Sequence, residues 1–209
     1  MNKLFNLLLA AGIAVSARGQ GWIAGQWNQY SGNGDYYAVE AITGGTDGWF
    51  IAKSQAQALL GPNGESVTLA SVTSLGLDQF IFNGVNTPAY WSIDTAGNNE
   101  GPNLGGYQFD KLNEPAGDWA WVDGSAWNYT QWNPGEPNNS GGVEDYLTLF
   151  ATGNNRSGNW NDIGGGTNPT GTAGAVGYYI VETVPEPSTP ALIGIGGLCL
   201  LGLRMRNNR

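Results

Sequence analysis

Polar and apolar residues are spaced in the periods of short strands and helices through residues 36–84. They alternate from Tyr36 to Ile42, which predicts a β-strand. From Phe50 to Leu60, apolar residues recur at helical spacing and Gly61-Pro62 ends the run, so we predict a helix there. The apolar face of that helix is formed by Ala52, Ala56, Leu59 and Leu60.

A second strand and a second helix are predicted next. Ser66 to Val72 has the composition of a strand, and Ser74 is placed to cap a helix that ends at Gly84. The apolar residues of this helix are Leu77, Phe80 and Ile81. Two early helices followed by short strands and long loops predict an α+β domain.

The second half of the chain contains three more predicted strands. Trp119 to Val122 alternates and continues into Asp123-Gly124, which is a hairpin signal. Tyr146 to Phe150 and Tyr178 to Glu182 are apolar enough to form strands. Ser92 to Trp119 is rich in Gly, Asn and Pro without periodicity, so we predict only a loop there.

Composition and charge narrow the classes of function. The 209 residues include 34 glycines and nine tryptophans with only 12% charged residues, which is typical of a loop-rich, aromatic-packed exported globule. There is no histidine, and the one cysteine is Cys199, which excludes internal disulfides, His/Cys zinc sites and Ser-His-Asp or Cys-His nucleophiles. Arg18 to Val184 carries four basic and 16 acidic residues, a net charge of −12, so we expect no nucleic-acid partner.

Both ends of the chain have the patterns of sorting signals. Residues 1–17 combine Lys3, an apolar stretch and a small-residue exit at Val15-Ser16-Ala17, the order of a secretory signal peptide. Near the other end, Val184-Pro185-Glu186-Pro187 precedes the apolar run 191–203 and terminal arginines. The run is shorter than the ~20 residues that span a bilayer comfortably.

This tail resembles the PEP-CTERM sorting signal of Gram-negative bacteria. The resemblance implies transient anchoring in the inner membrane through a short transmembrane helix at 191–203, then cleavage near Pro185 to Pro187 by an exosortase-type enzyme. The released protein would reach the cell surface or the extracellular polysaccharide. The alternative is a permanent C-terminal anchor.

One loop, Gly135 to Tyr146, combines three acids, two amides, three glycines and a proline. It buries little apolar surface, whereas Ca²⁺ binds six to eight carboxylate, amide or carbonyl oxygens. Further oxygens occur in the sequence NWNDI, beyond the strand that follows the loop, and Trp160 would fix this second segment by burying its ring. We therefore predict a calcium site with these candidate ligands: Glu136, Asn138, Glu144, Asp145, Asn161 and Asp162.

The sequences WNPGEPNN, EDYL, WND and YYIVE occur in the order of the C-type lectin-like domain, which the chain resembles from about Gly34 to Glu182. The resemblance implies an α+β fold with two helices, small antiparallel sheets and a long calcium-binding loop region. We therefore divide the chain into a signal peptide (1–17), an N-terminal extension (18–33), a lectin-like domain (34–183) and the sorting signal (184–209).

The same resemblance implies a role for each candidate residue. Five residues would ligate Ca²⁺, namely Glu136, Asn138, Glu144, Asn161 and Asp162, and all of these except Asp162 would also contact a sugar. Asp145 would support the site or ligate an auxiliary ion, and the Glu136-Pro137 bond would be cis. The order Glu-Pro-Asn implies sugars of the mannose/glucose type.

The chain departs from the family at its cysteines. Tyr146 and Val181 stand where family members carry cysteine, and the loop around Gly165 has none. A lost disulfide commonly costs about 2–5 kcal/mol, so aromatic packing and a bound ion would have to stabilise the loops.

These residues are compatible with three functions. The first is calcium-dependent sugar binding, and the second is a calcium-stabilised structural or protein-binding module of the extracellular matrix. A hydrolase with Glu136 and Glu144 as paired acids is the third, and we disfavour it because calcium would neutralise both acids, so we expect no enzyme. The remaining aromatic candidates for sugar stacking, which we expect in the core, are Trp119, Trp121, Trp127 and Trp132.

Overall fold

The structure is a computed structural model, which describes residues 21–44, 48–94, 96–110, 112–164 and 176–184. Over these ranges the chain forms two α-helices, α1 (Gly48–Gln57) and α2 (Leu75–Val85), and two short 3-10 helices, Pro88–Tyr90 and Ser140–Gly142. The strands are β1 (Asn28–Gln29), β2 (Tyr36–Ala41), β3 (Ser66–Leu69), β4 (Ser92–Ile93), β5 (Asn99–Gln108), β6 (Trp119–Trp121), β7 (Glu144–Ala151), β8 (Trp160–Gly164) and β9 (Tyr178–Val184).

The strands join in one sheet around β9 and β5. The order is β1-β2-β9-β5-β7-β8, while β3 pairs with β9, and β4 and β6 pair with β5. The β5 and β9 pair is parallel, and the other pairs are antiparallel. One apolar cluster includes Leu77 and Ile81 of α2, and a second includes Ala52 and Ala56 of α1. The predicted α+β class is confirmed.

The two predicted helices form with small changes in their bounds. Helix α1 begins at Gly48 and ends at Gln57, so Leu60 lies outside it and is 70% exposed, whereas we predicted it on the buried face. Helix α2 begins after Ser74, whose Oγ accepts a hydrogen bond from the Leu77 N–H at 3.3 Å, as the capping prediction requires. The helix ends at Val85, one residue beyond the predicted Gly84.

The prediction of a loop from Ser92 to Trp119 is wrong at its centre. Asn99–Gln108 forms β5, which pairs with β4, β6, β7 and β9, and nine of its ten residues are buried. Residue propensities do not predict this strand because the segment is rich in Gly and Asn, which are uncommon in strands. The strand forms because neighbouring strands on both sides pair with its backbone groups. Register shifts on both sides of Asn103 explain why no period of two can be recognised.

The predicted hairpin at Asp123-Gly124 is also wrong. A turn does form, because the Gly124 N–H donates to the Trp121 carbonyl at 3.1 Å. The chain then continues without a strand to residue 132, and β6 pairs with β5 instead. Trp119 and Trp121 are buried and Trp127 and Trp132 pack partly buried against the same core, so the expectation of core tryptophans is confirmed.

The predicted N-terminal extension is described from Gly21 and packs against the rest of the chain. Trp22 and Trp27 are buried, and β1 pairs with β2. The predicted signal peptide and the predicted membrane segment at 191–203 lie outside the described residues. Among the helices that the structure does describe, none has the length and apolar character needed to cross a bilayer.

A close backbone approach at Gly105 gives the first prediction. A Cβ at Gly105 would lie 2.7 Å from the Leu69 carbonyl oxygen and 3.0 Å from that of Ala70. Gly105→Ala should therefore push β5 away from this segment and lower the free energy of unfolding by about 1–3 kcal/mol, measured by urea denaturation. Gly177→Ala is the matched control, since its Cβ meets nothing within 4 Å, and an equal loss in both variants would contradict the prediction.

Candidate functional site

The loop before β7 is hydrogen-bonded to β8. At its start, the Trp160 N–H donates to the Gln131 carbonyl at 2.8 Å, and the Asn133 N–H donates to the Trp160 carbonyl at 2.9 Å. The Glu136 N–H then donates to the Asn133 carbonyl at 2.9 Å, and the Glu136-Pro137 bond is cis, as the resemblance implies. The sequence GEPNN is therefore held beside the sequence WND, although 22 residues lie between Pro137 and Trp160 in the chain.

The Asp162 carboxylate joins the middle of the loop to β8. It accepts hydrogen bonds from the Asn138 N–H at 3.1 Å and from the Asn139 N–H at 2.7 Å. The Asn139 Oδ1 accepts from the Glu144 N–H at 3.0 Å, and the Glu144 Oε2 accepts from the Ser140 N–H at 2.7 Å. These contacts bring Glu136, Glu144 and Asp162 to one end of the β7-β8 pair.

Burial raises the pKa of each of these three acids, and repulsion by neighbouring acids adds to the rise for Glu136 and Glu144. Burial raises the pKa of Glu136 to about 7, helped by the negative charge of Asp162 and by a hydrogen bond between the two carboxyl groups. Burial raises the pKa of Glu144 to about 7, with further contributions from the charges of Asp162 and Glu136. Burial also raises the pKa of Asp162, although the Asn139 and Asn138 N–H groups oppose the shift. The neighbouring charges behind these shifts are all negative.

Two buried oxygens at this place have no hydrogen-bond partner, namely Glu136 Oε2 and Asn161 Oδ1. Buried polar atoms are nearly always satisfied, so such atoms indicate a missing partner. Carboxylate and amide oxygens are the donors that Ca²⁺ prefers, and a divalent cation would offset the repulsion among the acids. The donor set therefore fits calcium, although no group of three or more Asp, Glu, His or Cys residues is arranged as a ready metal site in the described part of the chain.

The remaining predicted site residues lie close by. Asn138 has an exposed side chain, whereas Asp145 and Asn161 are buried, with 8% of each exposed. Trp160 is fully buried among aromatic rings, as predicted for the residue that fixes the second segment. Asn139 was not predicted, although it links the loop to both Asp162 and Glu144.

Sequence reasoning also missed Glu100, an acid on β5 that is only 4% exposed. Burial raises its pKa to about 8, and the charges of Asp94, Glu144 and Glu136 add to the shift. Glu100 therefore lies within electrostatic range of the acids of the loop. No signal in the sequence marks it, because the surrounding stretch lacks periodicity and was predicted as a loop.

Comparisons with known proteins agree with both resemblances. Residues 183–207 match the PEP-CTERM protein-sorting motif. The chain is 38% identical over 87 residues to C-type lectin domain family 4 member G of Mus musculus, covering 42% of this chain and 27% of that protein. It is 25% identical over 140 residues to hepatic lectin of Gallus gallus, covering 66% of this chain and 52% of that protein.

The chain thus spans about a quarter of the length of the first of these curated relatives and about half of the second. Among solved structures, the EPNH mutant of CEL-I, a C-type lectin from Cucumaria echinata, is similar with a TM-score of 0.50 and 27% identity. The match covers 77% of this chain and 95% of that one. The sequence matches and the fold therefore support a C-type lectin-like domain, and the C-terminal end of the chain matches the PEP-CTERM sorting motif.

Proposed function

We propose that this chain is an exported, calcium-dependent carbohydrate-binding module for mannose/glucose-type sugars of extracellular polysaccharide. The observation that carries the proposal is the convergence of Glu136, Glu144 and Asp162, which the hydrogen bonds of the loop bring to one end of the β7-β8 pair, together with the unpartnered buried oxygens of Glu136 and Asn161. Two carboxyl groups in contact need either a proton or a cation between them. In this proposal five residues hold the ion: Glu136, Asn138, Glu144, Asn161 and Asp162.

The ion would supply a doubly charged centre with open positions that attract hydroxyl oxygens. The chain's own groups would then orient the sugar. Carboxylates such as Glu136 and Glu144 accept hydrogen bonds from hydroxyls, while the amides of Asn138 and Asn161 donate to them. The exposed Asn138 side chain is accessible to a ligand from solvent. Asp145, next to Glu144, supports the site or holds an auxiliary ion.

The choice of sugar rests on the sequence Glu136-Pro137-Asn138. In the C-type lectin-like domains that the chain resembles, this order selects neighbouring equatorial hydroxyls, as in mannose or glucose. The mutant of CEL-I that is similar to this chain is named EPNH, and the first three letters are the one-letter codes of the same three residue types. The two curated relatives described above, which match this chain over 87 and 140 residues, are both named as lectins, and this favours binding over catalysis.

The place of action follows from the sorting motif. PEP-CTERM motifs imply export and sorting to the cell surface, and residues 183–207 match the motif. We propose that residues 191–203 anchor the chain transiently in the inner membrane until an exosortase-type enzyme cleaves it. Lectin sites of this kind are individually weak, so display of many copies on a surface would raise the avidity.

A glycan array tests the proposal, with the full-length chain applied in millimolar Ca²⁺ and again with a chelator. We expect capture on mannose- or glucose-terminated glycans that the chelator abolishes. Asn138→Asp should abolish or redirect capture, because a carboxylate replaces the amide donor and adds charge. Asn128→Asp, at another exposed asparagine, is the matched control and should bind as the wild type does. Calcium uptake without any capture would instead favour the structural module.

A further inference from the structure

Asp78 and Trp160 form a buried contact between α2 and β8. The Trp160 indole N–H donates to the Asp78 Oδ1 at 3.1 Å, and the two residues are 82 positions apart in the chain. Asp78 is 4% exposed and Trp160 is fully buried. Asp78 is itself fixed in the first turn of α2, because its N–H donates to the Ser74 carbonyl at 2.9 Å.

An acid is a costly choice for this position. Burial raises the pKa of Asp78 to about 7, and the Trp160 hydrogen bond only partly opposes the shift. The chain also makes room for it, since a Cβ at Gly158 would lie 2.7 Å from the Asp78 Oδ2. Aromatic rings pack against the indole, with centroids 5.6–6.0 Å away, namely those of Trp121, Trp127, Tyr129 and Trp132. Among these neighbours, the acceptor that the structure gives to the indole N–H is the Asp78 Oδ1.

Trp160 stands where the two halves of the candidate calcium site meet. Its backbone N–H and C=O bind Gln131 and Asn133, at the start of the loop that carries Glu136. Asn161 and Asp162 follow it directly on β8, where Trp160 pairs with Leu149 of β7. A displacement of the indole would therefore move oxygens of both segments relative to each other.

We propose that Asp78 is a positioning residue for the calcium site, which acts by holding the Trp160 indole and through it the loop and β8. This inference rests on the proposed function. Groups behind metal ligands orient them, and their loss typically lowers metal affinity by about 10–100-fold. Asp78 acts one step further from the ion, through Trp160, and its helix α2 contributes no proposed calcium ligand.

The test measures calcium binding to the full-length chain by titration calorimetry, under conditions where each variant is folded. Asp78→Leu removes the acceptor at similar volume and should lower the affinity for Ca²⁺ by about tenfold or more. Asp78→Asn keeps an acceptor oxygen and should stay within about threefold of the wild type. Ile81→Val, one turn along the same buried face, is the control and should lower stability without changing the affinity.

Two further measurements keep the inference testable if Asp78→Leu does not fold. Gly158→Ala presses on the same carboxylate from the other side and should also weaken calcium binding. Hydrogen exchange of the Trp160 indole N–H, followed by NMR without calcium, should be slow in the wild type and faster in Gly158→Ala.

The outcomes separate this inference from the function on which it rests. A wild type that binds no Ca²⁺ refutes the proposed function and this inference together. A wild type that binds, with Asp78→Leu or Gly158→Ala binding equally well, refutes the inference alone. A loss in Ile81→Val as large as that in Asp78→Leu would also refute it, because the effect would then follow general destabilisation.

Discussion

Replacing Asp162 with asparagine is expected to weaken calcium binding by at least ~100-fold, equivalent to about 2.7 kcal/mol. The reason is the loss of one negative charge from a site whose affinity depends on the charge of its ligands. Asp162 is also fully buried and is the residue that joins β8 to the loop through the Asn138 and Asn139 N–H groups. Sugar capture should disappear together with the ion.

The substitution should leave most of the fold intact, because asparagine keeps one oxygen that can accept these backbone hydrogen bonds. Calorimetric titration with Ca²⁺ measures the affinity, and circular dichroism checks the fold. Asp110→Asn is the matched control, since the Asp110 carboxylate accepts a hydrogen bond from the Leu112 N–H, in a turn that belongs neither to the loop nor to β8. Unchanged calcium affinity in Asp162→Asn, beside a folded control, would remove Asp162 from the site.

The parts of the site that sequence could predict are those whose chemistry is local. The loop around Glu136 and Asn138 is too polar for a core, and its order of acids, amide and proline is informative by itself. The Ser74 cap was predictable for the same reason, because it depends on residues three positions apart. Each of these signals lies within one short segment, so it can be recognised without knowing which distant residues pack against it.

The parts that could not be predicted depend on partners distant in the chain. β5 reads as a loop, yet it is the most connected strand of the sheet, because its pairing partners come from before and after it. Glu100 and Asp78 were missed because a buried acid is recognised only when the surrounding elements are known. Contacts such as that between Asp78 and Trp160, 82 residues apart, leave no periodicity in either segment.

The positions where the family carries cysteine are filled by packing. Val181 is fully buried on β9 and pairs with Ala38 of β2. Tyr146 packs against Trp49 and Phe50 of α1, with ring centroids 4.6 Å and 5.1 Å away. Aromatic pairs of this kind contribute about 0.5–1.5 kcal/mol beyond their buried area, so they offset part of what a disulfide would give.

The stability of the chain without calcium is expected to fall as pH rises, and Glu182 should cause a large part of the fall. Glu182 is 6% exposed on β9, and its Oε1 accepts a hydrogen bond from the Ser71 N–H at 3.0 Å. Burial raises its pKa from 4.5 to about 8, with a further rise from the charge of Asp123, while hydrogen bonds from Ser71 and Tyr37 oppose the shift.

The sign follows from the direction of that shift. The folded state holds the Glu182 proton more tightly than the unfolded state, so the stabilisation is complete below pH 4.5 and is lost as pH rises to about 8. Burial raises the pKa values of Asp78 and Glu100 in the same direction, to about 7 and about 8. Their contributions therefore add to the slope.

Glu182→Gln should flatten this dependence, because the amide cannot ionise yet keeps an oxygen for the Ser71 N–H. Since one pKa unit corresponds to about 1.4 kcal/mol, the variant should lose on the order of 3 kcal/mol less than the wild type between pH 5 and pH 8. Urea denaturation of the full-length chain at several pH values, with chelator present, measures both slopes. Glu65→Gln is the control, because hydrogen bonds at the surface lower the pKa of that acid and the wild-type slope should persist. Equal slopes in the wild type and Glu182→Gln would contradict the prediction, because Glu182 would then bind its proton equally tightly in the folded and unfolded states.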